Sequence, residues 1–209
     1  NKAGRSFQEA ALFLGLAYND YGIAQAGMGL ASGDVSGLQR EAVFMTHFED
    51  DTNTLYLPGK AGLYDEGTFP AGLGSASYPY LGWGTFFFDA EGDGDLDLFV
   101  ANGHVAPQVE GLRSTVGYRQ RNQLFLNGGR GIFKESRRVL PEGRDTSGSS
   151  RGAACGDLDG DGDPDIVVNN IDARPTVLEN RSAGSRLEVR PRGRKVKRSG
   201  IGPGGPGGC

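Results

Sequence analysis

Apolar residues in this chain fall in short runs, each following an acidic, glycine-bearing stretch. Val43-Phe44-Met45, Leu98-Phe99-Val100 and Ile166-Val167-Val168 are the clearest. Runs this short, β-branched or aromatic and bounded by turn residues, predict strands. Between them, Asn122-Gln-Leu-Phe-Leu-Asn127, Gly128-Gly-Arg-Gly131 and Ile132-Phe-Lys-Glu135 read as strand, glycine turn and strand. Thr54-Leu-Tyr-Leu57 and Thr176-Val-Leu-Glu-Asn180 echo the first half of that phrase, and Gly4-Arg-Ser-Phe-Gln-Glu9 echoes the second. The chain is therefore read as beginning inside a repeat, as a piece of a longer protein. Helical periodicity is confined to Ser6 to Tyr18 and is interrupted by Gly15. The expected class is all-β.

Self-comparison organises these strands. Gly29-Leu-Ala-Ser-Gly-Asp34, Gly84-Thr-Phe-Phe-Phe-Asp89 and Gly152-Ala-Ala-Cys-Gly-Asp157 align without gaps, with Gly five residues before Asp each time. The spacing is 55 residues from Asp34 to Asp89 and 68 from Asp89 to Asp157. Asn102 to Arg121 accounts for the longer interval and reads as a surface loop. Each unit supplies about four short strands in two hairpins, the content of one propeller blade. A single sheet of that kind cannot bury both faces, so it stacks on a neighbour. About three to four four-stranded units are expected, fewer than a closed ring normally needs, with an exposed edge.

The turns carry the chemistry. Asp157-Leu-Asp159-Gly-Asp161-Gly-Asp163-Pro-Asp165 places carboxylates at loop positions 1, 3, 5, 7 and 9, and Asp89-Ala-Glu91-Gly-Asp93-Gly-Asp95-Leu-Asp97 does the same with Glu at position 3. Two carboxylates about 5 Å apart repel by roughly 3 kcal/mol at an effective dielectric near 20. Five within nine residues call for a cation. Calcium takes six to eight oxygen ligands, and Gly94 and Gly162 at position 6 allow the wrap around it. Side chains at positions 1, 3, 5 and 9 and a backbone carbonyl at position 7 are the expected ligands, so that Asp95 and Asp163 contribute mainly charge. Two Ca²⁺ sites follow. Magnesium is disfavoured because it dehydrates reluctantly. An EF-hand is rejected: position 12 is Val100 or Val168 in an apolar run, where that motif needs a bidentate Glu. In the first repeat, positions 3, 5, 7 and 9 are Ser36, Leu38, Arg40 and Ala42, and no metal is expected there.

Composition sharpens this picture. Gly is 36 of 209 residues without a three-residue period, which fits many tight turns. Net charge is −4, yet residues 181–200 hold eight Lys/Arg against Glu188 alone, leaving 14 basic and 25 acidic residues elsewhere. An acidic body argues against nucleic acid and for cations. The basic stretch reads as a solvated strand face. No apolar stretch is long enough to span a membrane, and no export signal is visible in the first residues. Two cysteines make no disulfide scaffold. Cys155 is expected to be a buried, inert thiol and Cys209 to end a flexible Gly/Pro tail.

Gln25-Ala-Gly-Met-Gly29, Tyr80-Leu-Gly-Trp-Gly84, Asp93-Gly-Asp-Leu-Asp-Leu-Phe-Val-Ala-Asn-Gly-His104, Arg121-Asn-Gln-Leu-Phe125 and Asp163-Pro-Asp-Ile-Val-Val-Asn-Asn170 resemble the FG-GAP/VCBS repeats of integrin-α-like β-propellers. They are most similar to those of the cartilage-acidic-protein-like group, whose members carry an ASPIC/UnbV domain. The resemblance covers residues 1–180 as repeats. Arg186-Leu-Glu-Val-Arg190 through Ser199-Gly-Ile-Gly202 looks like the opening of the ASPIC/UnbV domain, so that 181–209 is a truncated start ending in Pro203-Gly-Gly-Pro-Gly-Gly-Cys209. The resemblance implies a calcium-stabilised propeller, secreted or periplasmic, acting in adhesion or recognition. It places metal ligands at Asp89, Glu91, Asp93, Asp97, Asp157, Asp159, Asp161 and Asp165.

Enzymatic constellations are missing. His104 lacks a second His or Cys in sequence reach and His47 lies in an apolar run, and a structural role is expected for both. Gly27-Met-Gly29 and Gly82-Trp-Gly84 precede strands and are no nucleotide fingerprints. Trp83 reads as a packing residue. Asn180-Arg-Ser182 is a weak glycosylation match. A non-enzymatic calcium-dependent module binding a protein or glycan is therefore expected, with missing blades of a longer chain as a further partner. The alternative is part of an extracellular polysaccharide-active, lyase-like enzyme, which needs Arg113, Arg119 and Arg121 to converge on a groove with an acid.

Overall fold

A computed structural model describes residues 7–110, 116–136 and 147–182. Their strands form three antiparallel sheets. The first contains β1 (Leu30–Gly33), β2 (Ala42–Met45), β3 (Thr54–Pro58) and β4 (Tyr64–Glu66) in that order. The second contains β5 (Gly82–Phe88), β6 (Asp97–Asn102), β7 (Gln123–Asn127) and β8 (Phe133–Glu135), again in order. In the third, β9 (Ser150–Gly156), β10 (Asp165–Asn170) and β11 (Thr176–Leu178) are the described strands. The class is all-β, and the described residues close no ring. Both α-helices among the described residues are single turns. Of the expected helix only α1 (Ala11–Leu14) forms, ended by Gly15 in the left-handed region (φ 80°); α2 is Gly74–Ser77. No helix among the described residues is long and apolar enough to cross a membrane.

The repeat predicted from sequence is a repeat of hairpins. Gly33 pairs with Ala42, Phe88 with Asp97 and Gly156 with Asp165, so each acidic turn joins the first two strands of its sheet in equivalent register. The first strands β1, β5 and β9 lie side by side, stacking the sheets as successive blades. Phe44, Leu55 and Ala31 of the first sheet meet Phe87, Leu98, Val100, Phe125 and Phe133 of the second. Phe88, Phe99, Ala101 and Leu124 on its other face meet Ile166 and Val168 of the third. The middle sheet is thus covered on both sides. That is why β6 reads as an unbroken apolar run, with Leu98, Phe99, Val100 and Ala101 all fully buried.

The glycine five residues before Asp34 and before Asp89 now has a cause. A Cβ at Gly29 would overlap the Trp83 carbonyl on the next blade, and one at Gly84 would lie 2.5 Å from the Ala153 amide nitrogen of the third sheet. At Gly152 the nearest atom is the Cβ of Asn169, 4.0 Å away. Gly84→Ala is expected to cost about 1–3 kcal/mol through overpacking, and Gly152→Ala less than about 0.5 kcal/mol. Equal losses in urea unfolding would refute the close-approach explanation.

Several expectations need correction. The third sheet has three described strands, and the segment Phe7–Glu9 forms none. The insertion from Asn102 to Arg121 is no simple surface loop: Asn102 ends β6, Val109 and Gln120 are buried, and Gln120 Oε1 accepts the Leu81 amide at 2.9 Å. Cys155 is half-buried and is not a free thiol. Cys209, Arg113 and the proposed domain start at Arg186–Gly202 lie outside the described residues.

Candidate metal centres

Both acidic turns are built on the same hydrogen bonds. At position 1, Asp89 accepts the amides of Gly92 (2.7 Å), Asp93 (3.2 Å) and Gly94 (3.0 Å), while Asp157 accepts those of Gly160 (2.7 Å) and Gly162 (3.2 Å). Positions 4 and 6 are glycines in the left-handed region in both turns, with φ from 72° to 95°, a conformation that other residues adopt at a cost. At position 5, Asp93 accepts the Asp95 amide and Asp161 the Asp163 amide, both at 2.9 Å.

Position 9 ties the turn to the sheet. Asp97 is buried; it accepts the Ala90 amide with one oxygen and the Asn127 amide with the other, each at 2.8 Å. Asp165, equally buried, accepts the amides of Leu158 (2.9 Å) and Asn180 (2.8 Å). The side chains of those asparagines then reach the preceding blade. Asn127 Nδ2 donates to the Val35 carbonyl at 2.9 Å, and Asn180 Nδ2 to the Ala90 carbonyl at 2.8 Å. Val35 and Ala90 both occupy position 2 of the neighbouring turn. Each acidic loop is thereby clamped to the next, and the nitrogen that glycosylation at Asn180 would use is already engaged.

The first turn shows what remains without the acids. Asp34 accepts the amides of Ser36 (3.2 Å), Leu38 (3.1 Å) and Gln39 (2.5 Å). Burial nudges its carboxyl upward, and these amides outweigh that, leaving it below the usual range. Gln39 takes the left-handed conformation at position 6 (φ 55°). The backbone path thus survives, while the Asp–Asn pair is replaced by Ala42 and Pro58. The sequence placed Asn127 and Asn180 only as strand ends, with Asn180 also a weak glycosylation match; the signal for their clamping role was the shared Asn ending the phrase after each five-acid turn and missing after the first.

Asp157, Asp159 and Asp165 each bring one ligand oxygen within 4.8 Å of the others. Calcium–oxygen distances of about 2.3–2.6 Å place ligands up to about 5 Å apart across the ion, so this group fits calcium. The Asp159 carboxyl lies above its ordinary range: the Asp161 amide lowers it, and desolvation with the charges of Asp161 and Asp165 raises it more. Asp161 is exposed beside the trio, and Asp163 is buried, its Oδ2 3.3 Å from Ser182 Oγ. In the other loop Asp89 and Asp95 are half-buried, and Glu91 and Asp93 are exposed. Their oxygens are not gathered as closely. Burial first, then the charges of Glu91 and Asp93, push the Asp97 carboxyl up to about 6 against the pull of two amides.

Residues 114–189 match the FG-GAP-like repeat. The matched repeat spans β7 to β11 and contains the whole 157 turn, with its Asp165–Asn180 clamp. No curated protein matches the chain.

The histidines are held by the scaffold. His47 Nδ1 lies 3.0 Å from the Ala26 carbonyl, and burial lowers its pKa. His104 Nδ1 accepts the Ala106 amide at 3.0 Å while Nε2 meets Glu49 of the first blade at 3.1 Å. Arg151 stacks on Trp83, 4.3 Å from the ring centre, and donates to the Gly103 and His104 carbonyls. Arg121 pairs with Glu135 and lies over Tyr80.

Proposed function

We propose that this chain is a calcium-stabilised, non-enzymatic propeller module that recognises a protein or glycan outside the cytoplasm. The observation that carries the calcium assignment is the convergence of Asp157, Asp159 and Asp165 oxygens within 4.8 Å in a turn that belongs to an FG-GAP-like repeat. The same ligand pattern in the 89 turn supports a second site formed by Asp89, Glu91, Asp93 and Asp97. Bound calcium would neutralise the clustered carboxylates and stiffen the clamps joining neighbouring blades. Recognition then falls to loops at the opposite end of the sheets, held rigid by the stack.

Calorimetric titration of the intact chain is expected to show two calcium sites with affinities of about 10⁻⁴–10⁻³ M, the range of extracellular modules. Asp161→Ala should remove one heat and Asp93→Ala the other. A melting temperature indifferent to both chelator and calcium would sink the reading.

A lyase-like role has one observation in its favour: Arg119, Asp172 and Arg174 share a cleft. Of the other two arginines expected there, Arg121 is committed to Glu135 and Arg113 lies outside the described residues.

A further inference from the structure

We propose that this cleft, between the second and third sheets at the end opposite the acidic turns, binds a uronate residue of an acidic polysaccharide. The inference rests on the recognition reading above and names the site and ligand class for it. The cleft holds about 210 Å³ and is lined by the end of the insertion (Tyr118, Arg119), the approach to β9 (Ser147 to Ser149) and the β10–β11 loop (Asn170 to Arg174, with Thr176). That is smaller than the pockets of drug-sized ligands, roughly 300–1,000 Å³, and suits one sugar ring.

Its walls are fixed. Gln120 and Gly148 exchange backbone hydrogen bonds of 2.8 and 3.1 Å, and the Ile171 amide donates to the Ser149 carbonyl at 2.9 Å. Asn170 Nδ2 spans the β10–β11 loop, donating to the Arg174 carbonyl at 3.0 Å and Thr176 Oγ1 at 2.9 Å. A preformed site loses less entropy on binding.

Charge selects the ligand. Arg121 and Arg151 are consumed by the scaffold, whereas Arg119 and Arg174 are exposed and, among the described residues, unpaired. Two guanidinium groups in one cleft match a carboxylate, which each can bind through parallel N–H donors. Asp172 in the same cleft supplies an acceptor for ring hydroxyls, and Tyr118 and Thr176 add hydroxyl groups of their own. Beside the Tyr118 ring, the apolar lining is only Ile171 and Ala173, little for the buried aromatic or aliphatic anchor that protein partners use. Hydroxyl-bearing carboxylate, rather than an acidic peptide, is the better fit.

The test uses the full chain with calcium present and oligogalacturonate as probe. A single sugar ring of this size is expected to bind with a Kd of about 1 mM. Arg119→Ala and Arg174→Ala are each expected to weaken binding at least tenfold, and Arg174→Lys to recover part of it, with both calcium heats unchanged as the check on folding. Methyl-esterified oligogalacturonate should not bind. Equal binding of the ester, of polyglutamate or of dextran sulfate would overturn the proposal. So would binding that survives both arginine variants but disappears with chelator, because the polymer would then sit on the acidic turns through bridging calcium. Release of unsaturated uronate ends would support the site and overturn the non-enzymatic role. Calcium binding without any uronate binding removes this proposal and leaves the calcium reading standing; absent calcium heats remove that reading whatever the sugar does.

Discussion

Asp97→Ala is expected to destabilise the protein by about 2–6 kcal/mol at pH near 5 with chelator present, independently of any metal. Its two oxygens accept the Ala90 and Asn127 amides, and the residue is 1% exposed. Removing it orphans two donors, each costing about 1–3 kcal/mol. At pH near 5 the carboxyl, pushed up to about 6, is mainly neutral, so the substitution relieves little buried charge and the full cost shows. Asp161→Ala is the contrast. That side chain is exposed and accepts the Asp163 amide, an ordinary hydrogen bond whose loss should cost no more than about 1.5 kcal/mol. With calcium added, the cost of Asp161→Ala should grow, because it removes a ligand and with it the stabilisation by the metal of its own turn. Urea unfolding with and without calcium separates the two. An Asp97→Ala cost below about 1 kcal/mol in chelator would show that position 9 is a ligand only.

This division of labour also explains the first turn. Position 1 closes the loop in all three repeats, and Asp34 does so with neighbours that supply no carboxylates. Position 9 and the strand-end Asn form the second device, present at Asp97–Asn127 and Asp165–Asn180 and absent at Ala42–Pro58. A loop can therefore keep its backbone path and lose both the clamp and its acids together.

Local features were legible in the sequence because they rest on local chemistry. Short apolar runs between acidic and glycine turns specified the strands, and alternating Asp specified the turns. What was not legible depends on neighbours in space. The repeat glycine reads as turn chemistry, yet Gly84 is small because the third sheet's backbone passes beside it. Leu98 to Ala101 gave no clue to which face was buried, since both are. The cleft joins Tyr118 and Arg119 to the β10–β11 loop some fifty residues later, a pairing that only the stacking of two sheets creates. Arg121 looked equivalent to Arg119 until Glu135 was seen to hold it.

The pH dependence of stability should reverse when calcium is added. Burial holds the Asp97 carboxyl at about 6 in the folded protein, against about 3.9 for an unperturbed Asp. Between those values the folded state binds more protons than the unfolded state. The contribution is fully present below about pH 4 and is lost as pH rises through 6. Two units correspond to at most about 3 kcal/mol. In chelator, the wild type should therefore lose stability relative to Asp97→Asn as pH rises from about 4 to 7. Calcium inverts the sign, because it binds the deprotonated carboxylate and must displace the proton. At saturating calcium, the wild type should gain stability over the same interval and exceed the variant most at pH 7. Melting curves of both proteins across that range, with chelator and with calcium, give four lines. Parallel lines for wild type and Asp97→Asn in chelator would remove Asp97 as the titrating group. An unchanged wild-type slope on adding calcium would remove the metal from this turn, leaving a buried acid whose only task is to hold the Ala90 and Asn127 amides.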